Sequence, residues 1–183
     1  GDLLMHLCDI FVMWALYVLL RPVSRNLALL NLLLNLIQTA VLTANKLTLL
    51  LPLLLLGNDA YLKAIDTAQL QAWSYAAIEL HEYGFGVGLI FFGCVCLVEG
   101  HLIRKSGFLP PLLGVLMQIA GLCYLINSVA LLLAPAFEAR LFPAILMPCL
   151  VAELSLALWL LVKGVNADRW KERALMARAR ALE

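Results

Sequence analysis

The stretch NLLLNLIQTAVLTANK, residues 31–46, places three asparagines, a glutamine and a lysine inside a strongly apolar run. These five polar residues are Asn31, Asn35, Gln38, Asn45 and Lys46. At 100° per residue they fall within roughly a third of a helix circumference, and the remaining surface is Leu, Ile, Val, Ala and Thr. An asparagine facing lipid is unfavourable, so the pattern predicts a membrane helix whose polar stripe faces other helices or a water-filled cavity.

The composition of the whole chain decides the class of protein. Of the 183 residues, 64% are hydrophobic and 14% are charged, and the mean hydropathy is +0.95. Soluble domains carry about 25% charged residues, so this chain cannot cover a water-facing surface. Only helices and closed barrels satisfy their backbone in lipid, and the apolar runs are too long for barrel strands. We predict an all-α polytopic transmembrane bundle with five spans, at residues 3–20, 27–56, 73–98, 111–133 and 141–162.

Basic residues are unevenly divided between the two sides of this bundle. One side carries ten of them, in RPVSR (21–25), in HLIRKSG (101–107) and in the tail from residue 163, whereas the other side carries Lys63 and Arg140. The positive-inside rule places the ten in the cytoplasm. We therefore expect a multi-pass inner-membrane protein whose C-terminus is cytoplasmic, with residues 1–163 forming the bundle and residues 164–183 a basic tail.

Two short helices outside the membrane are also expected. The tail segment ADRWKERALMARARA has helix-forming composition, and its basic residues suit an anionic lipid surface with Trp170 at the interface. The loop GNDAYLKAIDTAQLQ, residues 57–71, is expected to hold a second surface helix on the opposite side. Its membrane-facing residues are Leu62, Ala64, Ile65 and Leu70.

The sequence contains no pattern that names a reaction or a cofactor. GxGxxG, P-loop and HExxH patterns are absent, and no basic patch carries the interleaved aromatic residues of a nucleic-acid binder. The five cysteines lie in the spans without a CxxC pair and are interpreted as small apolar filler. The cofactor is therefore unknown, no metal site is predicted, and nucleic acid is not an expected partner.

The functional prediction rests on polar side chains at a common depth. Counting residues from the loops places most of them in the outer half of the membrane. A lysine inside a span costs about 2.5–3.5 kcal/mol on insertion scales, so Lys46 either snorkels outward or pairs with Glu79 or Glu82 of the third span. The candidate ligand-binding or polar-core residues are His6, Asp9, Gln38, Asn45, Lys46, Glu79, His81, Glu82, Asn127 and Glu153.

Two of these candidates, the His6–Asp9 pair and Glu153, can have either a functional or a purely structural role. His6 and Asp9, one helical turn apart, form either a metal or proton site or a simple histidine–carboxylate pair near the interface, and their spacing matches no metalloenzyme motif. Glu153 is either functional or a protonated carboxyl group hydrogen-bonded within the bundle.

Glycines indicate which helices pack most closely. Gly84 and Gly88 of the third span have small-xxx-small spacing, which lets a neighbouring helix approach. On the fourth span, Gly114, Gln118 and Gly121 share one face. We expect the third span to be central in the bundle.

Four segments carry a resemblance to a known family. ALYVLLRPVSRNLALL, GLIFFG, HLIRKSGFLPPLLGVLMQIAGLCYLI and LSLALWLLVKG occur here in the order in which they occur in an uncharacterised prokaryotic family of multi-pass membrane proteins, a domain of unknown function. The resemblance covers nearly the whole chain and implies a helical inner-membrane protein. Members of the family usually have another apolar segment before the first one, which implies six spans in the natural protein, with both ends cytoplasmic.

Three functions are compatible with these patterns. The first is a small-molecule or lipid-binding, transporter-like bundle with an outward-facing polar cavity lined by the first three spans. The second is a membrane-embedded enzyme that uses Glu79, His81 and Glu82 as acid, base or metal ligands. The third is a structural or accessory subunit whose polar residues pair with a membrane partner or with a second copy of the chain.

Overall fold

Helices account for nearly all of the chain that the structure describes. The computed structural model describes residues 2–57 and 64–180, and in this part of the chain five helical stretches are long and apolar enough to cross a membrane. The predicted all-α class with five spans is therefore confirmed. The helices are α1 (Asp2–Leu20), α2 (Arg25–Asn45), α3 (Leu50–Leu55), α4 (Thr67–Ser106), α5 (Pro111–Leu133), α6 (Pro135–Leu141), α7 (Met147–Val162) and α8 (Ala167–Arg180).

The second span is interrupted, although the sequence predicted it to be continuous. A 3-10 helix, Lys46–Leu49, separates α2 from α3. Pro52 lacks an N–H group, and its ring crowds the carbonyl group four residues earlier. The preceding turn therefore tightens to 3-10 geometry, and the 100° spacing of the polar stripe ends at Asn45.

The third span is longer than predicted. It forms α4, 40 residues from Thr67 to Ser106, where the sequence predicted residues 73–98. The Asp66 carboxylate caps the first turn by accepting a hydrogen bond from Ala68 N at 3.1 Å. Gly107, in the left-handed conformation with φ 76°, ends the helix. At 1.5 Å per residue α4 is about 60 Å long, about twice the thickness of a bilayer hydrocarbon core.

The fifth span begins later than predicted. α6 and a 3-10 helix at Ala144–Leu146 precede α7, which starts at Met147 rather than near residue 141. Part of the predicted surface helix in the loop before α4, residues 58–63 including Leu62, lies outside the described residues, whereas Leu70 belongs to α4.

α4 and α5 form an antiparallel hairpin with backbone-to-backbone contact. A Cβ atom at Gly93 would lie 2.9 Å from the carbonyl oxygen of Gly121, and one at Gly100 would lie 2.5 Å from that of Gly114. The glycines of each helix are seven residues apart, the spacing that keeps one seam facing a partner helix. The predicted close-packing face of the fourth span is thus confirmed, and α4 is central because it packs against α1, α2, α3 and α5.

The α1–α2 turn, the α4–α5 turn and α8 meet at one end of the bundle, which we call the basic end. Asn166 N donates to Phe108 O at 3.1 Å, and Trp170 Nε1 donates to Leu19 O at 2.9 Å. Arg169 Nη1 also donates to Gly107 O at 3.1 Å. The predicted tail helix is therefore present as α8, and these bonds attach it to the α4–α5 turn and to the end of α1. The opposite end, where α2 passes into α3, is called the far end.

Candidate functional site

The polar stripe of α2 faces the inside of the bundle, as predicted. Asn31, Gln38 and Asn45 are 6%, 7% and 9% exposed, and they recur every seven residues. Leu42 is also buried on this side. These residues form one wall of an interface between α2 and α4, which we call the polar seam.

Contacts at the far end define the register of the polar seam. Asn45 Nδ2 donates a hydrogen bond to His81 O at 2.8 Å, and the Asn45 side chain fills the space beside Gly84. Leu42 fills the space beside Gly88 in the same way. A neighbouring helix approaches both glycines, but the predicted backbone contact is wrong, because the atoms that approach them are side-chain atoms of α2.

His81 closes the polar seam at the far end. Its Nδ1 lies 3.1 Å from the Asn45 carbonyl oxygen and 3.2 Å from Thr48 Oγ1, both within hydrogen-bond distance. Thr48 Oγ1 also donates to Asn45 O at 2.6 Å. Glu79 and Glu82 are exposed. The structure thus places His81 against α2 and leaves the two carboxylates outside the seam.

A buried carboxyl group, Glu99, lies at the other end of the polar seam. Leu42 of α2 lies beside Gly88 of α4, and the two helices are antiparallel. Eleven residues closer to the basic end on each helix, the same register brings Asn31 to the level of Glu99. Asn31 lies beside Glu99, and Glu99 is only 4% exposed. Among the described residues, Asn31 Oδ1 and Glu99 Oε1 have no hydrogen-bond partner.

The sequence patterns do not point to Glu99, because the predicted third span ends at Val98 and leaves Glu99 outside the membrane helix. The positions of Asn31 and Glu99 relative to the ends of their helices are a signal that points to this pair. Asn31 is six residues from the start of α2, and Glu99 is seven from the end of α4. Both helices have these termini at the basic end, so the two side chains lie at a similar depth.

A second buried contact joins α5 to α7. Tyr124 Oη donates a hydrogen bond to Glu153 Oε1 at 2.5 Å, and the Tyr124 ring packs edge-on against Phe92 with ring centroids 5.2 Å apart. The predicted hydrogen bond of Glu153 within the bundle is confirmed.

The remaining candidates of α1 and α5 lie elsewhere. His6 Nδ1 is 3.6 Å from Asp9 Oδ2, which confirms the predicted pair, and His6 is buried. Asn127 is buried on α5, and its Oδ1 has no hydrogen-bond partner among residues 2–57 and 64–180. In the same part of the chain, no three or more His, Cys, Asp or Glu residues are grouped in a way that could hold a metal ion.

Lys46 lines a groove between α1 and the second span. The cavity has a volume of about 600 Å³, and its apolar walls include Leu3, Ile10, Leu36 and Leu47. The predicted cavity was polar and lined by three spans, whereas this one is mainly apolar and lined by two. The difference arises because the stripe residue Asn45 packs against α4, so the groove is lined by α2 residues beside the stripe, such as Leu36 and Ala40.

The predicted pairing of Lys46 with Glu79 or Glu82 is not formed. All three residues are described, and no salt bridge within 4 Å joins the lysine to either carboxylate. At 1.5 Å per residue Glu82 and Glu79 lie about 36 and 40 Å along α4 from Ser106. Both distances exceed the thickness of a bilayer hydrocarbon core, which is about 30 Å.

The fold and these buried polar groups define a class, a helical membrane protein with five candidate spans around a central helix. Residues 1–164 match the family described as "Domain of unknown function (DUF4386)", and the chain belongs to that family. An uncharacterized protein of Archaeoglobus fulgidus is 30% identical over 164 residues, which cover 90% of this chain and 82% of the relative. No solved structure gives a significant match.

Proposed function

We propose that this protein binds a membrane lipid and holds an acyl chain of that lipid in the groove between α1 and the second span. The observation that carries this proposal is the apolar cavity of about 600 Å³. Ligand pockets in proteins usually have volumes of about 300–1,000 Å³ and mainly apolar walls. The groove therefore has the size and the chemistry of a site for an apolar chain.

A lipid is the occupant that suits the surroundings of the groove. The helices beside it present large exposed side chains such as Phe11, Leu33 and Leu47, so an acyl chain can enter sideways from the bilayer. Lys46 lies about 30 Å along the helix from Arg25, at the level where lipid headgroups begin.

The other two hypotheses gain less support from the geometry. His81 faces α2, whereas Glu79 and Glu82 are exposed, so these three residues do not converge on a common cavity in the way an acid–base site would need. The accessory-subunit hypothesis stays a prediction, to be tested by whether a membrane partner or a second copy copurifies with the chain.

We further propose that the protein resides in a prokaryotic inner membrane with its basic end in the cytoplasm. The support is the concentration of arginine and lysine in the two turns and in α8 that meet at that end, together with the positive-inside rule. A C-terminal reporter that is active only outside the cytoplasm should remain inactive, and activity of this reporter would reverse the proposed orientation.

The groove proposal can be tested with a photoactivatable phosphatidylcholine that carries a diazirine on its acyl chain. In the purified full chain, we expect cross-linked lipid on peptides that contain Leu3, Ile10 and Leu36. Ala40→Phe places a ring in the groove and should remove most of this labelling. The matched control is Ala157→Phe on α7, an exposed alanine that does not line the groove. Unchanged labelling in Ala40→Phe, or an equal loss in the control, would contradict the proposal.

A further inference from the structure

Three arginines from three segments line one pocket at the basic end. Arg21 lies in the α1–α2 turn, Arg25 begins α2, and Arg178 lies on α8. The pocket has a volume of about 430 Å³, and Tyr17 and Trp170 form part of its wall. We call it the arginine pocket, and it lies at the opposite end of the bundle from Lys46 and the groove.

The arginine pocket has a strong local excess of positive charge. No carboxylate lines it, and within the described residues none of its three arginines is joined to a carboxylate by a salt bridge. A guanidinium group presents several N–H donors in a planar fork, which matches the oxygen atoms of a phosphate group. The pocket therefore has the chemistry of a phosphate site.

The position of the arginine pocket favours a lipid as the source of that phosphate. Tyr17 and Trp170, which flank the arginines, are of the residue types that concentrate at the level of lipid headgroups. α8 also exposes Leu175 and Met176 beside its charged residues, as a helix lying on a membrane surface does. The end of the bundle that holds the pocket is thus expected to lie among headgroups.

We propose that the arginine pocket binds the phosphate group of an anionic membrane phospholipid. This site is separate from the proposed acyl-chain groove, and neither proposal depends on the other. Trp170 supports the site by fixing α8 against the end of α1 through its hydrogen bond to Leu19 O. The bond keeps Arg178 of α8 close to the two arginines that precede and begin α2.

The test uses the purified full chain in detergent and soluble short-chain dihexanoyl lipids. Affinity is measured by titration for phosphatidylglycerol, phosphatidylcholine and inorganic phosphate. We expect phosphatidylglycerol to bind most tightly, with affinity that falls as salt is raised. The triple variant Arg21→Gln, Arg25→Gln, Arg178→Gln should bind it about a hundredfold more weakly, since each basic residue near an anionic surface contributes about fivefold.

The matched control is Arg173→Gln, an exposed arginine of α8 that does not line the pocket, and it should bind phosphatidylglycerol like the parent chain. If the triple variant fails to fold, Arg178→Gln alone should still weaken binding about fivefold. Equal affinity for phosphatidylcholine, or an equal loss in Arg173→Gln, would overturn the proposal. Equal affinity for inorganic phosphate would overturn the assignment to a lipid. Acyl-chain labelling of the groove should survive in the triple variant, so the two proposals fail separately.

Discussion

α4 packs against α5 and against α2 by different means. Towards α5, Gly93 and Gly100 bring the two backbones into contact, and glycines of α5 receive them. Towards α2, the contacts are made by side chains, with Asn45 bonded to the backbone at His81 and Asn31 beside the buried Glu99. α4 thus packs against α5 through closely approaching backbones, and against α2 through side chains that include polar groups.

The difference shows where chemistry is possible in this bundle. Where Gly93 and Gly100 bring the backbones of α4 and α5 together, no space is left for a ligand. The polar seam instead contains two buried oxygen atoms, Asn31 Oδ1 and Glu99 Oε1, without a hydrogen-bond partner among the described residues. Ionisable groups inside membrane helices are costly and usually functional, so the α2 side of α4 is where a functional role is expected.

The largest effect is expected where a methyl group would meet backbone. Gly100→Ala would place a Cβ atom 2.5 Å from Gly114 O, and the two helices would have to separate. We expect the free energy of unfolding in detergent to fall by about 2–3 kcal/mol. Gly88→Ala is the matched comparison on the same helix. Its Cβ would meet the end of the Leu42 side chain, which can rotate, so the loss should be about 1 kcal/mol or less.

Chemical or thermal unfolding of the two glycine variants measures this difference. Equal destabilisation would mean that the interfaces with α5 and α2 do not differ in rigidity, and the comparison would fail. Gly164 is not a suitable control, because its φ of 65° makes any side chain there strained.

The second effect concerns Asn31 and Glu99. Removing one member leaves the other buried without its neighbour, so Asn31→Leu and Glu99→Leu should each cost about 1–3 kcal/mol. The double variant removes both polar groups and should cost less than the sum of the two single changes. A double-mutant cycle measures the coupling, which we expect to exceed about 0.5 kcal/mol. Additive losses would show that the two side chains act independently and that the register of the seam differs at the basic end.

A smaller effect is expected at Asn45. Asn45→Leu removes the hydrogen bond to His81 O, and hydrogen bonds between membrane helices contribute about 0.6 kcal/mol on average, with a maximum of about 1.7. The control is Asn26→Leu, an exposed asparagine of the same helix. If Asn26→Leu lowers stability as much as Asn45→Leu, the loss does not come from the hydrogen bond in the polar seam.

The sequence was sufficient for the class of fold, and for the direction of the polar stripe on α2. Helical periodicity and apolar length depend on each span alone, so Asn31, Gln38 and Asn45 could be assigned to the interior without knowledge of their neighbours. The predicted place of Lys46 on the stripe is wrong. Pro52 changes the preceding turn to 3-10 geometry, so the helical spacing on which the prediction depends ends before Lys46.

Contacts between spans could not be obtained from the same patterns. The pairing of Asn31 with Glu99 depends on the register between α2 and α4, which side-chain contacts at Gly84 and Gly88 determine. The groove depends on how α1 meets the second span, and the arginine pocket depends on how three separate segments meet at the basic end. No single helix carries that information, so composition and spacing gave candidates such as Glu79 and His81 without showing which of them share a site.

The smallest change in stability is expected at Glu79 and Glu82. These residues test where the polar seam on the α2 side of α4 ends. Both carboxylates are exposed, so Glu79→Gln and Glu82→Gln should each change the free energy of unfolding by less than about 0.5 kcal/mol. Each change should also be additive with Lys46→Met to within about 0.5 kcal/mol, because no salt bridge joins these described residues. Two double-mutant cycles in detergent measure the additivity. A coupling energy above about 1 kcal/mol in either cycle would extend the seam past His81 to a carboxylate and would restore the ion pair that the sequence predicted.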